Sequence, residues 1–137
     1  FKRYYVPYYR RRVAQLHAAK KRIFVHIDGA LRGLLPVLGA TGVDCAQSVT
    51  PAPVGDLPIE KLREIAGPDI ILWGGLPGVY FSRQYPEATL LKMAHEVIKH
   101  HAEGHRFILG VADQVPPDGE INRVRSITEL VERDAKY

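Results

Sequence analysis

Four short apolar runs, each separated from the next by a helical pattern and ending in a polar residue or glycine, constrain this chain most. They are Ile23-Phe24-Val25-His26-Ile27, Val43 to about Val49, Ile70-Ile71-Leu72-Trp73 and Phe107-Ile108-Leu109-Gly110-Val111. The first, continuously apolar and β-branched, suits a strand buried on both faces, as in parallel sheets. Tyr5, Tyr9, Val13 and Leu16 recur at helical spacing and predict a first helix from Phe1 to about Lys21, with Pro7 tolerated only near its start. Leu31, Leu34, Leu35 and Leu38 mark a short helix bent or begun at Pro36 and closed by Gly39 or Gly42. Ile59, Leu62 and Ile65 mark another, capped by Asp56 and stopped by Gly67-Pro68. Leu90, Leu91, Ala94, Val97 and Ile98 form the apolar stripe of a helix over about Glu87 to Glu103, and Val124, Ile127, Leu130 and Val131 that of a last one. The alternation predicts an α/β fold with a parallel sheet and right-handed crossovers. A complete eight-unit barrel takes roughly 250 residues. The 137 residues here suffice for about half, four strand–helix units in one domain over 1–137.

Composition narrows the setting. No run approaches the roughly 20 apolar residues of a membrane helix. The start, Phe1-Lys2-Arg3-Tyr4-Tyr5, lacks the apolar segment of a signal peptide and is not a Met, which suggests a piece of something longer. A lone Cys45 forms no internal disulfide, so a reducing, cytoplasmic setting is expected. The net charge of +4 hides a division: residues 1–22 carry eight basic side chains and no acid. With Tyr4, Tyr5, Tyr8 and Tyr9 interleaved, this segment could meet nucleic acid through phosphate attraction and base stacking. The plainer reading, which we prefer, is a helix with a solvated basic face and aromatic packing on the other.

The candidate site lies at the end of the first strand. His26-Ile27-Asp28-Gly29 places two polar, metal- or proton-binding side chains at the rim where parallel α/β folds bind ligands. The pair Gly74-Gly75 ends the third strand, where the backbone must bend or admit a ligand. His95, His100 and His101 lie along the fourth predicted helix, and a solvated helix end is the expected role for them.

The order of these motifs carries a resemblance. Phe1 to Pro7, His26-Ile27-Asp28-Gly29, Gly42-Val43-Asp44, Gly74-Gly75-Leu76-Pro77, and Phe107-Ile108-Leu109-Gly110 with Pro116-Pro117 and Asn122 resemble the C-terminal half of the uroporphyrinogen decarboxylase superfamily. The superfamily contains the decarboxylase and zinc-dependent, corrinoid-linked methyltransferases. The resemblance implies a TIM-type (β/α)8 barrel of which this chain supplies the last four strands and helices. In the methyltransferase branch it implies zinc held by His-x-Cys at one strand end and a Cys after the last strand. This chain departs from that pattern. The pair reads His26-x-Asp28, the later position aligns with Asp113, and the His of the decarboxylase branch is absent there too.

His26, Asp28 and Asp113 are therefore the candidate catalytic and metal-ligating residues, with Thr50, Trp73, Gly75 and Tyr80 expected to line a substrate pocket. One His and two carboxylates form a harder set than His with two thiolates, favouring zinc less and oxygen-preferring metals more. Aspartates at a barrel mouth also serve as general acids or bases. The decarboxylase's key aspartate and substrate-binding arginines belong to its N-terminal half, and only Arg32 and Arg83 are basic near the predicted rim. The resemblance thus favours a methyltransferase-like enzyme, with a corrinoid protein as the implied partner, over a porphyrin-pathway decarboxylase. A non-catalytic half barrel that dimerises, or that joins a missing N-terminal half, is the competing expectation.

Overall fold

The computed structural model describes residues 1–104 and 106–135. Four strands, β1 (Phe24–His26), β2 (Cys45–Val49), β3 (Ile71–Pro77) and β4 (Phe107–Ala112), pair in sequence order, every neighbour parallel. Helices α1 (Tyr5–Ala18), α2 (Leu35–Gly39), α3 (Leu62–Ala66), α4 (Glu87–His101) and α5 (Ile121–Asp134) precede, separate and follow them. This is the arrangement of half a TIM-type barrel.

The core lies between the sheet and its helices. Leu31, Leu35, Leu38, Leu57, Leu62, Leu72, Leu76, Leu90 and Val97 are almost wholly buried there. Burying each such side chain stabilises the fold by about 1.5–3 kcal/mol. α4 owes its position to Leu90, Ala94 and Val97, the buried stripe its spacing predicts. Gly67 ends α3 in the left-handed region (φ 87°), which a glycine enters without a Cβ penalty.

Several expectations change. The edge strands β1 and β4 are buried on one face only, because the concave inner face is open: Phe24 is 62 % and Ile108 45 % exposed, while the central β2 and β3 stay buried along most of their length. Asp56 does not cap α3, whose approach begins at Pro58 without a side-chain cap. Its carboxylate instead accepts from the backbone N–H of Leu31 (2.7 Å) and Arg32, bracing the loop after β1. His101 is not solvated; at 6 % exposure it bonds through Nε2 to the Ile59 carbonyl (2.9 Å) and stacks on Phe107. On α1 only Val13 is fully buried, and the exposed Phe1, Tyr5 and Tyr8 pack on neighbouring rings or, for Tyr8, under Arg12. Of the aromatic face predicted to pack, only Tyr9 reaches the core, next to Val13; Phe1, Tyr5 and Tyr8 stay outside it.

Candidate functional site

Alternation along the first strand builds half of the site. Val25 and Ile27 face the core, so His26 and Asp28 face the concave side. Asp113 follows β4 directly, in the left-handed region (φ 65°) that Asp tolerates better than most residues. Strands about 4.8 Å apart in a flat sheet would set β1 and β4 roughly 14 Å from each other. Curvature closes that gap at the rim: His26 Nε2 lies 3.0 Å from Asp28 Oδ2 and 3.7 Å from Asp113 Oδ1. One ligating atom from each of the three residues falls within 4.8 Å of the others, all on exposed side chains.

The second strand orients this cluster. His26 Nδ1 hydrogen-bonds Gln47 Oε1, and the Ser48 hydroxyl donates to Asp28 Oδ1 at 3.0 Å. Gln47 is the chief influence holding the His26 pKa above its ordinary value; Asp28 and Asp113 add to it, and modest desolvation opposes them. Cys45 sits below on the same strand, and burial, aided by Asp44, pushes its thiol up to about 11. At neutral pH it is a thiol rather than a thiolate, which does not suit it to metal or nucleophilic chemistry.

A cleft of about 410 Å³ adjoins the cluster, lined in part by Asp28, Thr50, Val54, Val79, Asp113 and Pro116. Of the pocket residues expected from the sequence, Thr50 alone borders it. Trp73 lies lower on the concave face, in a separate hollow beside Phe24 and Ile108. A Cβ on Gly75 would run into Val97 and Phe107, so that position faces α4. Tyr80 is 4 % exposed, its ring against Tyr85 and its carbonyl accepting from buried Arg123. Position near a strand end was too coarse a guide, since face and loop path decide what lines a cleft. Gln47 and Ser48 belong to the cluster without any motif to mark them; the one signal in the sequence is that two polar residues in an otherwise apolar strand need partners.

The donors fit a divalent cation of intermediate to hard character: two carboxylates and one imidazole, whose other nitrogen is already engaged. Neither arginine near the rim points to an anionic substrate. The Arg32 guanidinium donates to the Asp56 carbonyl (3.0 Å), and Arg83 pairs with Glu120 (3.1 Å).

No helix among the described residues is long and apolar enough to cross a membrane. No curated protein sequence matches the chain significantly. Among solved structures, a methyltransferase from Methanosarcina mazei matches with a TM-score of 0.64 at 17 % identity, covering 90 % of this chain and 34 % of that one. The chain therefore spans about a third of that methyltransferase's length, and at this identity the likeness is one of fold. The sequence model of uroporphyrinogen decarboxylase (URO-D) matches residues 1–133, nearly the whole length. The chain belongs to the uroporphyrinogen decarboxylase family.

Proposed function

We propose that this chain forms the metal-holding half of a methyltransferase-like enzyme of the family, with His26, Asp28 and Asp113 as ligands and the adjoining cleft as the substrate subsite. The observation that carries the reading is the convergence of three ligating atoms within 4.8 Å at the rim. Zinc is one candidate ion; the two carboxylates also favour manganese or ferrous iron. Such an ion, when bound, supplies Lewis acidity toward a substrate oxygen or thiol. His26 offers Nε2 while Gln47 holds Nδ1, Ser48 steadies Asp28, and Val54, Val79 and Pro116 give the cleft an apolar wall. The cleft lining includes two carboxylates and no Lys or Arg among the described residues, which argues against a substrate bearing many carboxylates, such as a porphyrinogen. A small neutral or cationic methyl donor or acceptor suits it better, with a corrinoid protein as the partner the family suggests. Trp73, Gly75 and Tyr80 are not part of this subsite.

The 3.0 Å contact between His26 and Asp28 favours a second reading, in which the pair moves protons as general acid and base without an ion. Calorimetric titration of the purified full chain with zinc and with manganese separates the two. One equivalent bound per chain, lost in His26→Ala and Asp113→Asn variants that keep the wild-type circular dichroism, is expected. Failure of the wild type to bind either ion would remove the metal reading and leave the acid–base one.

A further inference from the structure

Successive side chains of a regular strand point to opposite faces, so Gln47 and Ser48 should not serve one site. They do so here because β2 is irregular. Its pairing with β3 runs Gln47 with Trp73 and then Val49 with Gly74, skipping Ser48. Ser48 has a φ of 75°, a conformation that costs a non-glycine residue energy. Fully buried, it nonetheless turns its hydroxyl to Asp28 Oδ1 at 3.0 Å. Its carbonyl accepts from Thr50 Oγ1 (3.2 Å), linking the irregularity to the cleft wall. Gln47, opposite His26 in register, engages Nδ1. The partner strand makes room with a glycine: a Cβ on Gly74 would sit 2.6 Å from the Val49 carbonyl oxygen. That close approach of two backbones, rather than a bend for ligand, accounts for the first glycine of the Gly74-Gly75 pair.

We propose that the bulge at Gln47-Ser48 is a positioning device for the rim cluster. Gln47 holds the His26 ring so that Nε2 faces both carboxylates, and Ser48 aims Asp28. Bulges recur beside active sites because an extra residue re-aims a side chain, and an imidazole ligand works best when its second nitrogen is engaged. The inference rests on the cluster being the functional site, whether it binds an ion or moves protons.

The test uses the full chain with Gln47→Leu, Gln47→Glu and Ser48→Gly. Glutamate keeps an acceptor for Nδ1–H, whereas leucine removes it. Glycine accepts the φ of 75° while deleting the hydroxyl. Zinc affinity should fall about 10–100-fold in Gln47→Leu, return in Gln47→Glu, and fall less in Ser48→Gly. Nitrogen-15 spectra of the His26 ring, recorded without metal, should differ between wild type and Gln47→Leu. Where the wild type binds zinc, affinity in Gln47→Leu within twofold of wild type overturns the proposal. Where it binds none, the metal reading fails by itself, and identical His26 ring spectra in wild type and Gln47→Leu overturn the positioning role.

Discussion

At the C-terminal end of α4, His101 shows how one buried ring acquires a pH signature. Its Nε2 donates to the Ile59 carbonyl, and its ring stacks on Phe107 with centroids 4.5 Å apart. Burial chiefly, with Arg63 and His100 adding like charge, holds its pKa below the ordinary 6.5. Between those two values the unfolded chain binds the proton that the folded chain refuses. Stability therefore falls as pH drops below about 6.5 and levels off beneath the folded value. His26 works in the opposite sense. Its raised value contributes stability that is full below the unfolded pKa and lost as pH rises through the folded one. Urea unfolding of wild type and His101→Gln at about pH 7.5 and about pH 5.5 isolates the first effect. Wild type should lose more stability than the variant over that interval, and equal losses would contradict the role given to His101. The residue was legible only in part. Sequence spacing placed it at a helix end, where a charged, solvated imidazole is the common outcome, but the β4 aromatic that buries it comes from elsewhere in the chain. His26 and Asp28 were legible because strand alternation alone sends both to one face. Asp113 needed the family resemblance, since only sheet curvature brings it to His26.

Among the elements, α1 is lightly anchored: Val13 and Tyr9 reach the core, and one carboxylate ties down its C-terminal end. Asp44 accepts from the Ile23 N–H (2.9 Å) and from Arg22 (3.0 Å), and pairs with His17 Nε2 (2.8 Å), tying the helix end and the following chain to the start of β2. Desolvation pushes its carboxyl up, but His17, the Ile23 amide and Arg22 outweigh this and hold it below its ordinary value. Asp44→Ala removes the acceptor and strands three donors. A loss of about 1–3 kcal/mol is expected. Hydrogen exchange should quicken over residues 13–23 while amides of β3 and α4 keep their protection; uniform quickening would show that α1 is not a separate unit. Among the described residues, each strand and α-helix was readable from apolar periodicity to within about four residues at the ends. β3, however, runs on through Gly74-Gly75 to Pro77 instead of ending there, and the 3-10 turn Gly78–Phe81 gave no periodic signal. The faces were not. A run such as Ile23 to Ile27 looks the same whether its second face is covered or open, because what covers it is never in the run itself. The bulge at Ser48 was equally hidden, since nothing about a serine announces a φ of 75°.

For the molecule as a whole, the surfaces left open share one geometry. β1 and β4 each pair on one side only among the described residues, leaving backbone donors and acceptors along both sheet edges. Phe24, Trp73 and Ile108 line the open concave hollow, and Phe1, Tyr4, Tyr5 and Tyr8 stand exposed on or beside α1. Unpaired edges and clustered exposed apolar side chains are what soluble folds cover. Four parallel strands already curled enough to bring His26 and Asp113 within 3.7 Å need four more to close an eight-stranded ring. A two-fold axis along the barrel would set β1 of one copy against β4 of another, parallel as closure requires, and would bury Phe24 and Ile108 in a shared interior. We expect self-association of the chain on that surface when no other half barrel is present. Light scattering should report a dimer or larger species. Ile108→Lys and Phe24→Lys, which place charge in the shared interior without touching the helix-covered core, should shift the population toward smaller species. A monodisperse wild-type monomer that unfolds cooperatively would contradict this. Addition of a separately produced N-terminal half barrel of the same family gives the complementary arm: a one-to-one complex that displaces self-association would identify that half as the preferred cover for the same two edges.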